Sequence, residues 1–229
     1  MSRRLFDTIR KLLGRGMTQS EVDAINLALE QGCEQLAREA GTVSHRKLED
    51  AGAFFDRVRD VTGPLSQARV DSVNLILNHA SACSIAWTAY ILATAWHESR
   101  FEPQAEWGKG KGKRYGVPGK YGQAPYGRGF VQLTWDFNYE WADQALGLNG
   151  ALLRNFDLAL APHIAARILV KGMVEGKFTG KALGDYLGVQ ATKEQFRQAR
   201  RIVNGRDKEN EIAAYAVGFQ EALIAGRWR

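Results

Sequence analysis

The segment from Ser84 to Phe101 constrains the fold more than any other part of the sequence. Ser84 is a favourable N-cap, and Pro103 disfavours helical geometry at Glu102, so we expect one helix that stops by about Phe101. Its apolar residues lie on nearly every face: Ile85, Trp87, Tyr90, Ile91, Leu92, Ala95 and Trp96. A helix of this kind belongs in the middle of a core rather than on its surface. The sequence therefore predicts a domain built around a buried helix.

Helical patterns separated by short glycine turns also account for residues 137–228, and residues 130–135 are the one strand-like run. A chain of 229 residues, 45% of them hydrophobic, is long enough to bury a sizeable core. We therefore predict a mostly α fold with little or no sheet.

The first 52 residues are predicted to form a small helical N-terminal segment, separate from a main domain over residues 53–229. Residues 1–16 have the pattern of a basic amphipathic helix, which is typical either of a solvated surface helix or of one that touches a cell envelope. Residues 17–29 align without gaps with residues 65–77. Both stretches predict helices, opened by Thr18 and Ser66 respectively.

Composition excludes several classes of protein. No apolar run approaches the roughly 18 residues of a membrane-spanning helix, so we expect no stable membrane insertion. Two cysteines, Cys33 and Cys83, are too few for a disulfide framework or a zinc cluster. The 31 Lys and Arg residues against 25 Asp and Glu give a net charge of +6, which favours an anionic partner.

Eight of the 24 glycines fall between residues 108 and 129, in a stretch that is also rich in lysine. A long glycine-rich loop within a domain is usually functional or disordered, and we expect this one to be mobile without ligand. Its spacing does not fit a phosphate-binding loop, and Phe101 occupies the position where the zinc-protease pattern begun by His97 and Glu98 needs a second histidine. Binding of single-stranded nucleic acid stays open as a non-enzymatic alternative.

The carboxylates of Glu98 and Glu106 form the most informative pair. Glu98 ends an apolar helix beside Trp96 and Phe101, where desolvation and the helix dipole favour a protonated acid, as protonation of a glycosidic oxygen requires. Glu106 follows at the mouth of the lysine-rich loop, where cations and water favour the charged form that activates water. A helix end followed by an extended turn can hold two carboxyl groups about 6.5–9.5 Å apart, as in inverting glycosidases. Two solvated surface glutamates are the alternative.

Four stretches resemble glycoside hydrolase family 19, the fold of plant-type chitinases and many phage endolysins. They are residues 93–99, residues 106–112, residues 126–135 with Asn138 and Tyr139, and residues 200–205 with Ile212 and Ala213. Residues 54–59 leading into residues 65–67 resemble the start of the phage branch. The resemblance covers about residues 54–225. It implies a lysozyme-like, two-lobed helical domain with a central cleft.

The resemblance also implies roles for individual residues. Glu98 corresponds to the general acid, Glu106 to the general base, and Thr134 to a hydroxyl residue that holds the nucleophilic water. Further residues are expected to contact substrate: Gln132, Asn138, Tyr126, His97 and Asn204. His97 either orients Glu98 or is a core histidine. Arg128 is expected to tie down the loop, and Trp96 and Trp135 are expected in the core.

Two departures from the family count against chitin as the substrate. Phe137 replaces a tyrosine that lies beside the groove in the plant enzymes, and Glu211 lies where a cleft arginine is expected. The expected function is therefore an endolysin that hydrolyses β-1,4 bonds of bacterial peptidoglycan by an inverting mechanism, with lysozyme (muramidase) activity. A chitinase and a basic wall-binding or nucleic-acid-binding module are the alternatives.

The same interpretation predicts the partners and the site of action. Peptidoglycan is the expected partner of the basic loop and the basic N-terminus, with no nucleic acid, no metal and no cofactor required. We expect a monomer. The sequence opens with basic residues but has no apolar stretch and cleavage site of a secretory signal. The enzyme is thus expected to accumulate in the host bacterial cytoplasm and to act on the wall after holin-mediated release.

Overall fold

A computed structural model describes residues 45–229. Over this range the helices are α1 (Ala51–Thr62), α2 (Gln67–His79), α3 (Ile85–Ser99), α4 (Asp136–Ala145), α5 (Ala151–Arg154), α6 (Pro162–Glu175), α7 (Lys193–Gln198) and α8 (Glu209–Ala225). Four short 3-10 helices accompany them, at Arg114–Gly116, Phe156–Leu160, Leu183–Asp185 and Ala199–Ile202. The prediction of a mostly helical fold is confirmed.

Helix α3 runs through the centre of the domain, as its sequence predicts. Its N-cap Ser84 accepts a hydrogen bond from the backbone N–H of Trp87 at 3.2 Å, and its C-cap Arg100 is left-handed, with φ of 53°. Eleven of its fifteen residues are buried. Burial on all sides fixes the position of the helix, and with it the position of Glu98 in its last turn.

The helices of the described domain gather into two groups. Helix α8 packs against α1, α3 and α7, and these four form what we call the α8 lobe. Helix α6 packs against α2 and the 3-10 helix Phe156–Leu160, which also contacts α5 and the 128–129 strand; with α4, which packs on α5, they form the α6 lobe. The site residues come from segments of both lobes.

The strand predicted over residues 130–135 is wrong. Among the described residues the only sheet is a pair of two-residue antiparallel strands, β1 (Gln104–Ala105) and β2 (Arg128–Gly129). The chain turns after β2, and Leu133 pairs back onto Arg128. Gln132 and Trp135 have φ of 55° and 72°, which an extended strand does not allow. Phe130, Val131 and Leu133 are instead buried from a turn.

Glycine is required where β2 meets the α6 lobe. Gly129 has φ of 80°, and a Cβ there would lie 2.7 Å from the backbone oxygen of Ala159. A side chain at this position would push β2 away from the 3-10 helix beneath it.

The helix predicted over residues 65–77 is confirmed as α2, with the Ser66 side chain accepting from the backbone N–H of Arg69. The matching stretch 17–29, its cap Thr18 and the amphipathic helix 1–16 lie outside the described residues. At the start of the described range, Lys47 exchanges two backbone hydrogen bonds with Arg229. The domain boundary near residue 52 stays a prediction. In residues 45–229, no helix has the length and apolar character needed to cross a bilayer.

Candidate active site

Glu98 lies at the exposed end of the buried helix α3, with its side chain about one-fifth exposed. Its Oε1 accepts a hydrogen bond of 2.9 Å from the Nη1 of Arg200, a guanidinium that is itself only 3% exposed. The sequence predicts apolar surroundings and a helix end around Glu98, but it does not predict this positively charged partner. Glu98 therefore has solvent on one side and a fixed cation on the other.

Arg200 is held in place from a second direction. Its Nε donates to the backbone oxygen of Asp207 at 3.0 Å, so two of the three guanidinium nitrogens are engaged. The chain after it turns into α8, where Glu209 binds Arg197 and Arg206 at 2.5 and 2.9 Å. These hydrogen bonds lower the pKa of Glu209 from 4.5 to about 2, with that from Arg206 the largest cause. The segment that carries the cation beside Glu98 is thus followed by a separate, ordered cluster of charges around Glu209.

His97 precedes Glu98 and is partly buried. Burial is the largest cause of a lowered pKa for its imidazole, although the charge of Glu98 acts in the opposite direction. Its Nδ1 is buried and has no hydrogen-bond partner within residues 45–229. Glu211 lies close enough to affect His97 electrostatically, and it accepts a hydrogen bond from the Tyr215 hydroxyl at 2.8 Å. Glu211 thus lies near His97, in the last turn of α3.

Glu106 is fixed by the short sheet rather than by a cation. It directly follows β1, and its backbone N–H donates to the Gly127 oxygen at 2.7 Å. Its carboxylate accepts from the backbone N–H of Gly127 at 3.1 Å and from the Tyr115 hydroxyl at 3.3 Å. Burial, followed by the nearby Glu106 charge, raises the pKa of Tyr115, so this hydroxyl stays a donor. Glu106 is thus oriented by two neutral donors.

Three of the predicted site residues line one groove of about 250 Å³, namely Gln132, Thr134 and Asn138. Phe178 and Val203 complete the groove from other parts of the chain. The structure therefore brings together the two amides predicted to contact substrate and the hydroxyl predicted to hold the nucleophilic water.

The two amides in this groove also have local partners. Gln132 donates from Nε2 to the backbone oxygens of Gln104 and Gly129 at 3.0 and 3.1 Å, which ties its turn to the β1–β2 pair. Asn138 donates to the backbone oxygen of Thr134 at 2.9 Å. Because this bond uses one amide hydrogen, the Asn138 oxygen and the Thr134 hydroxyl keep their capacity to bind ligand.

An aromatic row borders the groove. Trp135 contacts Tyr115 edge-on, with ring centroids 5.3 Å apart, and stacks on Phe137 at 6.4 Å. The prediction that Trp135 is a core residue is wrong, because its left-handed backbone turns the ring outward and leaves it 37% exposed. Trp96 is buried, as predicted. The exposed rings offer apolar surface next to Glu106.

Arg128 performs the structural role predicted for it. It pairs with Asp157 at 2.7 Å, donates to the oxygens of Ala124 and Tyr126, and lies 3.5 Å above the ring of Tyr126. Tyr126, predicted to contact substrate, is nearly buried beneath this guanidinium. Asn204 is exposed in the turn before α8, where its side chain accepts from the Gly205 N–H.

The solved structures similar to this chain include two of chitinase C. Chitinase C from Streptomyces griseus HUT6037 matches with a TM-score of 0.50 and 21% sequence identity, over 77% of this chain and 78% of that chain. A mutant of chitinase C matches with a TM-score of 0.45 and 20% identity, over 75% of this chain and 91% of that chain. No family model and no curated protein matches the sequence. The first match shows that the chain has the chitinase C fold, which confirms the lysozyme-like fold expected from the resemblance to glycoside hydrolase family 19.

Sequence reasoning missed Arg200 as part of the site. Arg200 falls in the closing stretch of the family resemblance, residues 200–205, and no role is predicted for it there. One signal was available: in a segment with Ala199 and Ile202, an arginine that packs inward needs a carboxylate partner. The sequence does not indicate which carboxylate, since Glu98 lies 102 positions away.

Proposed function

We propose that this protein is a glycoside hydrolase that cleaves β-1,4 bonds of bacterial peptidoglycan in a single inverting displacement, a lysozyme (muramidase) activity. The observation that carries the proposal is the contrast between its two carboxylates. Glu98 is bound to a buried cation at the end of α3, and Glu106 is bound to neutral donors beside the β1–β2 pair. Two carboxyl groups in different surroundings can take separate roles, and a cation beside Glu98 stabilises the carboxylate that remains after an acid has given up its proton.

Glu98 acts as the general acid. It transfers its proton to the glycosidic oxygen as the bond from that oxygen to the anomeric carbon breaks. Proton transfer leaves a carboxylate, and Arg200 is already positioned at 2.9 Å to stabilise the charge that develops there. A fixed guanidinium needs no reorganisation during the reaction, so its effect is larger than that of a mobile cation in water.

Glu106 acts as the general base. It takes a proton from a water molecule whose oxygen attacks the anomeric carbon from the face opposite the leaving group. The Gly127 N–H and the Tyr115 hydroxyl hold its carboxylate in one orientation, and the Thr134 hydroxyl binds the same water. The groove formed by Gln132, Thr134 and Asn138 binds the sugar next to the cleaved bond.

A chitinase activity is the second candidate, and it is favoured by the fold shared with chitinase C. Both activities would use the same two carboxylates. The net charge of +6 favours peptidoglycan, because its peptide stems carry carboxylates and chitin does not. We further propose that the protein is a phage endolysin, made in the host cytoplasm and released to the wall through a holin.

Digestion of purified peptidoglycan tests the proposal. Wild type, Glu98→Gln and the control Glu102→Gln are incubated with sacculi, and the fragments are reduced and analysed by mass spectrometry. Glu102 is a matched control because it is a nearby exposed acid that pairs with Arg69. We expect new reducing N-acetylmuramic acid ends from wild type and the control only. New reducing N-acetylglucosamine ends would identify a different glycosidic bond, and cleavage of chitin oligomers alone would favour the second candidate.

A further inference from the structure

The segment from Trp107 to Arg114, which we call the basic ribbon, is a second surface beside the site. It starts at the residue after Glu106 and alternates glycine with lysine. The side chains of Lys109, Lys111, Lys113 and Arg114 are all exposed, and none forms an ion pair with a carboxylate of residues 45–229. Trp107, at its start, is 99% exposed. Unpaired positive charge next to a candidate active site indicates an anionic ligand.

The ribbon has a defined backbone. Successive turns are closed by hydrogen bonds from the N–H of Lys109 to the oxygen of Glu106, from Lys111 to Gly108, and from Lys113 to Gly110, each at 2.8 or 2.9 Å. The glycines at 108, 110 and 112 have φ between 70° and 79°, which other residues rarely adopt. The turns therefore favour glycine at these three positions, and the lysines between and after them present a cation at every second residue.

The end of the ribbon is also fixed. A Cβ at Gly116 would lie 1.9 Å from the Gly110 oxygen, so the two glycines are in direct backbone contact. Tyr115, which directly precedes Gly116, donates to the Glu106 carboxylate. Any ligand bound along the ribbon consequently lies next to the carboxylate that activates water.

We infer that the basic ribbon binds the peptide-stem carboxylates of a peptidoglycan strand seated in the groove. The inference rests on the proposed function and adds to it a determinant of substrate class. Stems leave the glycan at every N-acetylmuramic acid, and each carries several carboxylates, whereas chitin offers the ribbon no negative charge. Lysine side chains, which are long and flexible, suit carboxylates on a mobile peptide better than they suit a neutral sugar ring.

The test compares native sacculi with sacculi whose carboxyl groups have been converted to amides. The ribbon variant is K111Q/K113Q, which changes two residues with negative φ and leaves the glycines intact. The control is K47Q/K193Q, which removes the same charge at two exposed lysines outside the ribbon. Binding is measured by sedimentation in the Glu98→Gln background, and cleavage is measured in the active background.

We expect the ribbon variant to lose about fivefold in binding and in kcat/KM on native sacculi, since each exposed ion pair contributes modestly. On amidated sacculi it should equal the control, and added salt should abolish the difference on native sacculi. Equal losses on both kinds of sacculi, or equal losses in the ribbon and control variants, would overturn the inference while leaving the hydrolase intact. If wild type cleaves neither kind of sacculi, the proposed function fails. Weaker binding of the ribbon variant to native sacculi, but not to amidated sacculi, would still show that the ribbon binds carboxylates.

Discussion

The two candidate catalytic carboxylates are positioned by opposite means. Glu98 depends on a charge contributed by Arg200, which is distant in sequence and buried in the 3-10 helix Ala199–Ile202. Glu106 depends on the backbone of a short sheet and on the hydroxyl of Tyr115, both within 21 residues of it. Glu98 is therefore coupled to the tertiary fold, whereas Glu106 is held by local structure. Substitutions near Glu98 and substitutions near Glu106 should therefore have different effects on stability and activity.

The largest expected effect separates the two chemical roles. Glu98→Gln and Glu106→Gln should each lower kcat on glycan substrates by roughly 10²–10⁴. With an aryl glycoside whose phenol leaves without protonation, Glu98→Gln should regain most of its rate, because only the acid has become dispensable. Glu106→Gln should stay inactive on this substrate. Recovery in both variants, or in neither, would break the assignment of acid and base.

The next effect is on folding stability. Arg200→Met leaves the Glu98 carboxylate without its cation and the Asp207 oxygen without its donor. We expect a loss of about 3 kcal/mol in the free energy of unfolding, measured with urea, since breaking a buried ion pair is costly. The double variant E98Q/R200M should recover part of this loss. If Arg200→Met were as stable as wild type, the coupling of Glu98 to the fold would be refuted.

A smaller pH effect on stability is expected from Glu209 on helix α8. The pKa of Glu209 lies at about 2, below its ordinary 4.5, so this carboxylate stabilises the folded state above pH 4.5. That contribution is lost as the pH falls from 4.5 towards 2. Glu209→Gln should therefore have a lower Tm than wild type at pH 7 and a shallower decline in Tm below pH 4.5. Thermal melts at intervals of half a pH unit give the comparison, and parallel curves would count against it.

The smallest effect is expected at the base. Tyr115→Phe removes one hydrogen bond to Glu106 but leaves the bond from the Gly127 N–H. We expect kcat to fall by about fivefold and the free energy of unfolding to change by less than about 1 kcal/mol. A loss of stability as large as that of Arg200→Met would show that Glu106, like Glu98, is coupled to the stability of the whole fold.

Local signals allowed α3 and its cap to be predicted, because Ser84 and the apolar run act within one helix. The same signals failed for residues 130–135, where apolar side chains are buried from a turn with positive φ at Gln132 and Trp135. The groove residues could be identified from their motif, whereas Arg200 could not, because its partner is set by how α3 and the segment before α8 meet. Short-range patterns thus predict elements and motifs, and tertiary packing decides the charges around them.

The stereochemistry of the first product tests the central claim most directly. Peptidoglycan fragments are digested with wild type in an NMR tube, and the anomeric protons of the new reducing end are followed before mutarotation. An acid at Glu98 and a base at Glu106 acting in one displacement predict that the α-anomer appears first. If the β-anomer appeared first, the reaction would proceed through two displacements, and the roles assigned to the two carboxylates would be contradicted.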